Sequence, residues 1–307
     1  METMKKVQIL LFVVLLLFCG CNKNKTPERK DTTTEKTTAM ENMHDTPPEK
    51  VILGNCEIYR EYYPADVFQD QSSYVYLDFY ILSRYIGNDT ELVLPSTAPD
   101  GLPIIGIGKW CFNQSESLEK IVIPDGYLSV GAWAFQNCPN LKEIYIGKDV
   151  NDFTNVDPFA FSNQLSVITV DPENSTYMSQ NNCLLTKDGK TLVAGCKNSV
   201  IPDTVKVIGE NAFCNIQSLS QITIPDSVTT IKDWAFSGCH QLTDIYLPNT
   251  ITEIGCRAFH DCPILTVRCE APERPAGWHE GWDGRNLGET TDRYPVPNVI
   301  WGAEPVS

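Results

Sequence analysis

IPDSVTTIKDWAFSGCHQLTDIYLPNTITEIGCRAFHDC, residues 224 to 262, states one pattern twice. Ile224-Pro225 opens the first copy and Leu247-Pro248 the second; each continues with two spaced aliphatic residues, an Ala-Phe pair and a Cys. The two Phe residues, Phe236 and Phe259, are 23 positions apart, and so are Phe213 and Phe236, and Phe112 and Phe135. Counted on Phe161, the interval from Phe135 is 26 and the interval to Phe213 is 52, which leaves room for two units and an insertion. A period of this size is the mark of a solenoid, in which each unit is one coil stacked on its neighbours.

Within a unit the spacing gives the geometry. Ile222 and Ile224 share one face of a short strand while Thr223 points the other way, and Ile245, Tyr246 and Leu247 repeat the alternation. Pro225 and Pro248 end these strands, because Pro lacks the N–H that a ladder needs. Val228, Ile231, Ala235, Phe236 and Cys239 carry the apolar set around the back of the coil. One coil alone has too few inward side chains to offset the ordering of its backbone, so neighbours must cover both of its open faces. Repetition therefore builds a core along one axis and leaves a long outer face.

The chain has 307 residues, 42% of them hydrophobic, and a formal charge of -15. That balance disfavours nucleic acid and anionic headgroups, which reward clustered Lys and Arg. Lys5 and Lys6 precede an apolar run from Val7 to Phe18, too short for a comfortable membrane span and shaped like a secretion signal. Leu17-Phe18-Cys19-Gly20-Cys21 resembles a bacterial lipobox, which implies acylation at Cys21; an ordinary cleaved signal or an uncleaved anchor are the alternatives. Residues 21–50, rich in Thr, Lys, Glu and Pro, read as a flexible tether. His44 within it is a lone residue and not a ligand.

Leu118-Glu-Lys-Ile-Val-Ile-Pro-Asp and Val130-Gly-Ala-Trp-Ala-Phe-Gln-Asn-Cys138, with their later copies, resemble the BspA-type leucine-rich repeats of bacterial surface proteins over residues 75–302. The resemblance extends to the inserted segment from Asn182 to Cys196, whose Asp188-Gly189 is itself a hairpin signal, and to the Trp278, Trp282 and Val299-Ile-Trp-Gly302 tail. The fold expected is a predominantly β repeat solenoid of leucine-rich-repeat type. Its parts are a signal peptide at 1–20, the tether at 21–50, an N-terminal β cap at 51–95, the solenoid at 96–270 with a hairpin insertion near 171–200, and a C-terminal cap and tail at 271–307. The unit at 150–170, with Asp157-Pro158-Phe159, departs most from the pattern.

Little in the sequence points to catalysis. Cys138, Cys239 and Cys262 share one inward phase and read as small core residues rather than a disulfide framework, and Cys111 stands where Ala134, Ala235 and Ala258 stand in other copies. Cys183 and Cys196 flank the hairpin and could bridge across it. No Cys-x-x-Cys pair or His cluster supports a metal site, and His240, His260 and His279 read as solvated or locally bonded. Scattered carboxylates do not make a shared cleft. No enzyme activity and no cofactor are expected.

The outward strand residues are the better candidates. Val122, Tyr145, Thr169, Thr223, Tyr246 and Arg268 form one row, and Lys120, Glu143, Val167, Gln221, Asp244 and Thr266 a second. Tyr and Arg are favoured interface anchors, which puts Tyr145, Tyr246 and Arg268 first; a row chosen only for strand propensity is the alternative. Trp110, Trp133 and Trp234 precede the Ala-Phe or Cys-Phe pairs and read either as partly buried or as a second aromatic patch. The resemblance implies adhesion to host matrix proteins and to other bacteria. The resulting expectation is a lipid-anchored recognition protein on the outer surface of a bacterial envelope, binding extracellular protein or glycan; an envelope-assembly lipoprotein without a diffusible ligand is the alternative.

Overall fold

A computed structural model describes residues 50–63, 77–153, 157–285 and 295–304. The signal peptide, Cys21, His44 and nearly all of the tether lie outside the described residues. The architecture is a β-solenoid of about eight turns. Among the described residues there is no α-helix, and none long and apolar enough to cross a membrane.

Each turn contributes to two parallel ribbons. The first ribbon begins with β4 (Glu91–Val93), β6 (Lys120–Ile123), β8 (Glu143–Ile146) and β10 (Val167–Val170), side by side and in register. Their alternation does the sorting: Ile121, Ile123, Ile144 and Ile146 are buried, while Val122 and Tyr145 face outward. The second ribbon opens with antiparallel β1 (Lys50–Leu53), β2 (Cys56–Tyr63) and β3 (Leu77–Tyr85) and continues in parallel through β5 (Ile104–Ile107), β7 (Ser129–Val130) and β9 (Asp152–Phe153).

After β10 the chain leaves the repeat to form β11 (Tyr177–Gln180), β12 (Cys183–Thr186) and β13 (Thr191–Ala194), an antiparallel set with Asp188-Gly189 at the tip between β12 and β13. Stacking then resumes through β14 (Val207–Ile208), β15 (Thr230–Ile231) and β17 (Glu253–Ile254) on the second ribbon. On the first it resumes with β16 (Asp244–Leu247), β18 (Thr266–Cys269) and β19 (Asn298–Trp301). The inserted strands are clothed on both sides. Leu184, Ala194 and Cys196 belong to the core of the N-terminal turns, whereas Cys183, Leu185 and Leu192 belong to that of the C-terminal turns. Cys183 and Cys196 are both free thiols, so the bridge between them is not made.

Opposite the strands runs a column of rings. Phe112 stacks on Phe135 at 5.1 Å, Phe213 on Phe236 at 5.1 Å, and Phe236 on Phe259 at 5.3 Å. The column has two runs, one from Tyr85 to Phe159 and one from Phe213 to the edge of Trp282. The irregular unit takes its place through Phe159, 5.9 Å from Phe135, and not through Phe161. The backbone shows why. Residues two before and two after a column Phe adopt the left-handed conformation, as in Trp133 and Asn137, Asn211 and Asn215, and Arg257 and Asp261. Phe161, at φ 59°, fills the second of these positions for Phe159, and the Phe135 N–H donates to Pro158 O as the Phe112 N–H does to Ala134 O.

One expectation about the first ribbon fails. Residues 221–224 keep the strand alternation, with Ile222 and Ile224 buried and Gln221 and Thr223 exposed, but they lie in no strand. The outward row is therefore two ladders, β4 to β10 and β16 to β19, and Thr223 stands between them. The insertion explains the break. On the turn side Phe161 N–H donates directly to Asn215 O and the Ser218 hydroxyl to Asn163 O, whereas on the strand side β11 to β13 intervene. Adding strands to one side of a stack and none to the other splays the rise that a continuous ladder needs.

Candidate binding surface

In the N-terminal ladder the outward row runs Val93, Val122, Tyr145, Thr169 in direct register. Val93 is 66% exposed and Thr169 is exposed, while Val122 and Tyr145 are half-buried. The Tyr145 hydroxyl donates to Asp171 Oδ2 at 2.6 Å. That bond pushes the phenol up to about 12 and holds the Asp171 carboxyl below its usual range. Beside this row Lys120 pairs with Glu143 at 3.3 Å.

In the C-terminal ladder Tyr246 faces Arg268, and Arg268 faces Ile300. Arg268 donates through Nε to Asp244 Oδ2 at 2.7 Å. The Tyr246 hydroxyl is buried without a well-formed hydrogen bond; burial first, and then the Glu270 carboxylate, raise its pKa. Glu270 in turn accepts from Asn249 N–H at 2.8 Å. Of the six row residues, the structure brings Val122, Tyr145 and Thr169 together, and separately Tyr246 and Arg268. The exposed pairs add little stability, but they hold Tyr145 and Arg268 in place.

A third surface lies along the turns that carry the Phe column. Trp110 and Trp133 stack on one another at 5.6 Å, with the Lys109 amine 4.0 Å from one ring centre and 4.6 Å from the other. In the other half Arg257 lies 4.8 Å over Trp234, whose ring also meets His260 edge-on. His240 Nε2 lies 3.0 Å from Asp261 Oδ2, and His279 Nδ1 accepts from Gly281 N–H. Among the described residues no three His, Cys, Asp or Glu side chains converge as a metal site would require.

Two features escaped the sequence reading. The buried cysteines are not only apolar filler: Cys138, Cys239 and Cys262 donate their thiols to the carbonyls of Phe112, Phe213 and Phe236 in the preceding turn, at 3.1, 3.2 and 3.1 Å. Ser162 does the same to Phe135 O at 2.6 Å. Its presence in the Cys phase was the available signal, hidden by counting on Phe161. The second is Asp157, buried where Trp133 and Trp234 stand in other turns. Its Oδ1 accepts from Phe159 N–H, its Oδ2 is without a well-formed partner, and burial drives its pKa far above the carboxylate range. No sequence pattern announces it.

Six copies of the model for the BspA type leucine rich repeat region match this chain, over residues 92–194 and 193–270. The chain belongs to the BspA-type leucine-rich repeat family. Among curated protein sequences none matches it. Of solved structures, a leucine rich cell surface protein from Faecalibacterium prausnitzii is 24% identical, with a TM-score of 0.44. The match covers 77% of this chain and 58% of that one, so this BspA-type chain spans little more than half of it. A leucine-rich repeat protein from Bacteroides ovatus is 20% identical over 74% of this chain and 67% of its own, with a TM-score of 0.42. The pneumococcal vaccine antigen PcpA is 15% identical over 75% and 78%, with a TM-score of 0.45.

Proposed function

We propose that this BspA-type repeat protein is a recognition protein of the bacterial cell surface, anchored through a lipid on Cys21, which binds extracellular protein or glycan, host matrix among them, through the outward row of its first ribbon. The observation that carries the reading is the way the anchors are held. Tyr145 and Arg268 are half-buried, and each is fixed by a carboxylate, Asp171 and Asp244, so that little side-chain freedom is lost when a partner docks. Repeat scaffolds of this type serve generally as binding surfaces and not as enzymes. With no reactive constellation among the described side chains, area is what the fold offers. The N-terminal lipid and the tether would hold that area away from the membrane.

The test is capture from extracellular-matrix and microbial-surface extracts with the full chain, against the variant carrying Tyr145→Ala, Tyr246→Ala and Arg268→Ala. The expected result is a specific partner retained by the parent chain and at least tenfold weaker retention by the variant at an unchanged melting temperature. Retention indifferent to the three substitutions would remove the ribbon face from the mechanism.

A further inference from the structure

The turn edge carries three Trp side chains where the backbone makes Trp a poor choice. Trp110, Trp133 and Trp234 have φ of 58°, 54° and 59°, at the position two before the column Phe. Bulky residues are strained in this left-handed region, whereas Asn tolerates it, and the turn of Phe213 does place Asn211 there at φ 57°. The fold therefore asks only for a left-handed residue. The indoles are also not hidden: Trp110 is 49% exposed and Trp133 and Trp234 are half-buried. A strained, costly aromatic retained on a surface calls for a use beyond the fold.

The charge beside the rings narrows that use. Lys109 is exposed and lies over both stacked indoles, and among the described residues it is paired with no carboxylate. Four other lysines of the repeat behave otherwise: Lys120, Lys142, Lys148 and Lys232 each meet an acid about one turn away. Arg84, whose neighbour Tyr85 donates its N–H to Cys111 O in the Trp110 turn, stands opposite Glu57 in the β2–β3 ladder, so Lys109 is the cation at the rings. On a chain of formal charge -15 this is a local cationic spot on an aromatic platform. An indole face suits the apolar C–H face of a pyranose ring, and the Lys109 ammonium, which covers these rings on a flexible stem, can swing off them to meet a negative substituent on that ring.

We infer that Trp110, Trp133 and Lys109 form a binding site for an acidic glycan, a pyranose chain bearing carboxylate or sulfate groups. The site lies on the turn edge and not on the strand ribbon, so it stands independently of the surface proposed above. Arg257 over Trp234 repeats the aromatic-cation pairing in the C-terminal half.

The test titrates the full chain with three hexasaccharides, one of galacturonic acid, one sulfated and one neutral and glucose-based, following Trp fluorescence and calorimetric heat. Binding of the carboxylated or the sulfated probe, at least tenfold tighter than the neutral one, is expected, and which of the two wins names the substituent. The double variant Trp110→Asn, Trp133→Asn should weaken that binding at least tenfold while its melting temperature stays level or rises, since Asn relieves the left-handed strain. Lys109→Gln should weaken the acidic probe at least fivefold and leave the neutral one unchanged. Equal affinity for all three probes, binding of none, or a double variant that loses melting temperature while keeping its affinity would each overturn the assignment. A poly-glutamate peptide that binds as tightly as the acidic sugars and ignores the Trp substitutions would do so too, since it would show simple charge attraction. The Tyr145, Tyr246 and Arg268 triple variant should bind the acidic probe as the parent does, which separates failure here from failure of the ribbon face.

Discussion

Replacing Cys262 tests whether the buried thiols are working donors. Its Sγ lies 3.1 Å from Phe236 O, and among the described residues no other donor reaches that carbonyl. Burial pushes the thiol up to about 12, so the donor proton is present across the physiological range. Cys262→Ala removes the proton and strands a carbonyl in a core where Cys262 and Phe236 are fully buried. Leaving such an acceptor unpaired costs about 1–3 kcal/mol, and the space vacated by sulfur adds ~24 cal/mol per Å³. Cys262→Ser keeps a donor of the kind that Ser162 already supplies in another turn, and gives up only the apolar character of sulfur, about 1 kcal/mol or less. The Ala variant should therefore melt below the Ser variant by a few degrees, at about 2–4 °C per kcal/mol for a chain of this size. Scanning calorimetry of the two side by side decides it. A Ser variant as unstable as Ala, or more so, would mean that sulfur serves only as apolar filler and that the thiol-to-carbonyl ladder contributes nothing.

Asp157 gives a pH signature whose sign follows from its burial. Its folded pKa is raised above the unfolded value of about 3.9, so the folded state holds the proton more tightly, and stability present below pH 4 declines as pH rises toward the folded pKa. Asp157→Asn should remove that decline and raise the neutral-pH melting temperature; an unchanged pH profile in urea titrations at pH 4 and pH 7 would refute it. Gly195 marks the contact of the inserted hairpin with the column, since a Cβ there would lie 2.0 Å from the Phe213 ring. Gly195→Ala should cost about 1–3 kcal/mol or more by overpacking, read as a drop in the urea midpoint, and a neutral result would contradict the close fit of hairpin to column.

How much of this was legible depended on repetition. Where copies agree, as from Phe213 to Phe259, the period fixed the column, the strand faces and the buried phase of Cys239 and Cys262, because every copy votes for the same geometry. Where the chain has a single copy, that vote is absent. Asp157-Pro158-Phe159-Ala160-Phe161 offers two Phe residues, and the Ala before Phe161 favours the wrong one; the left-handed φ of Phe161, which marks it as the residue two after a column Phe, is not written in hydrophobicity. Thr223 fits the outward pattern perfectly and still lies outside both ladders, because its strand partners are set by the distant insertion at β11 to β13 and not by its own unit. Strand alternation and residue type together single out the candidate anchors; their carboxylate partners Asp171 and Asp244 come from neighbouring units or strands, and only the stack reveals them.

Nearest-neighbour stacking underlies every surface described, and hydrogen exchange on Phe236→Ala measures it directly. The ring sits between Phe213 and Phe259 at 5.1 and 5.3 Å, and its loss should cost about 3–5 kcal/mol. Amide protection should fall in the turns around Phe213 and Phe259 and in β14 to β17, while the turns of Phe112 and Phe135, beyond the inserted hairpin and in a separate core, keep theirs. Protection lost around Phe112 while the Phe259 turn remains guarded would contradict the stack.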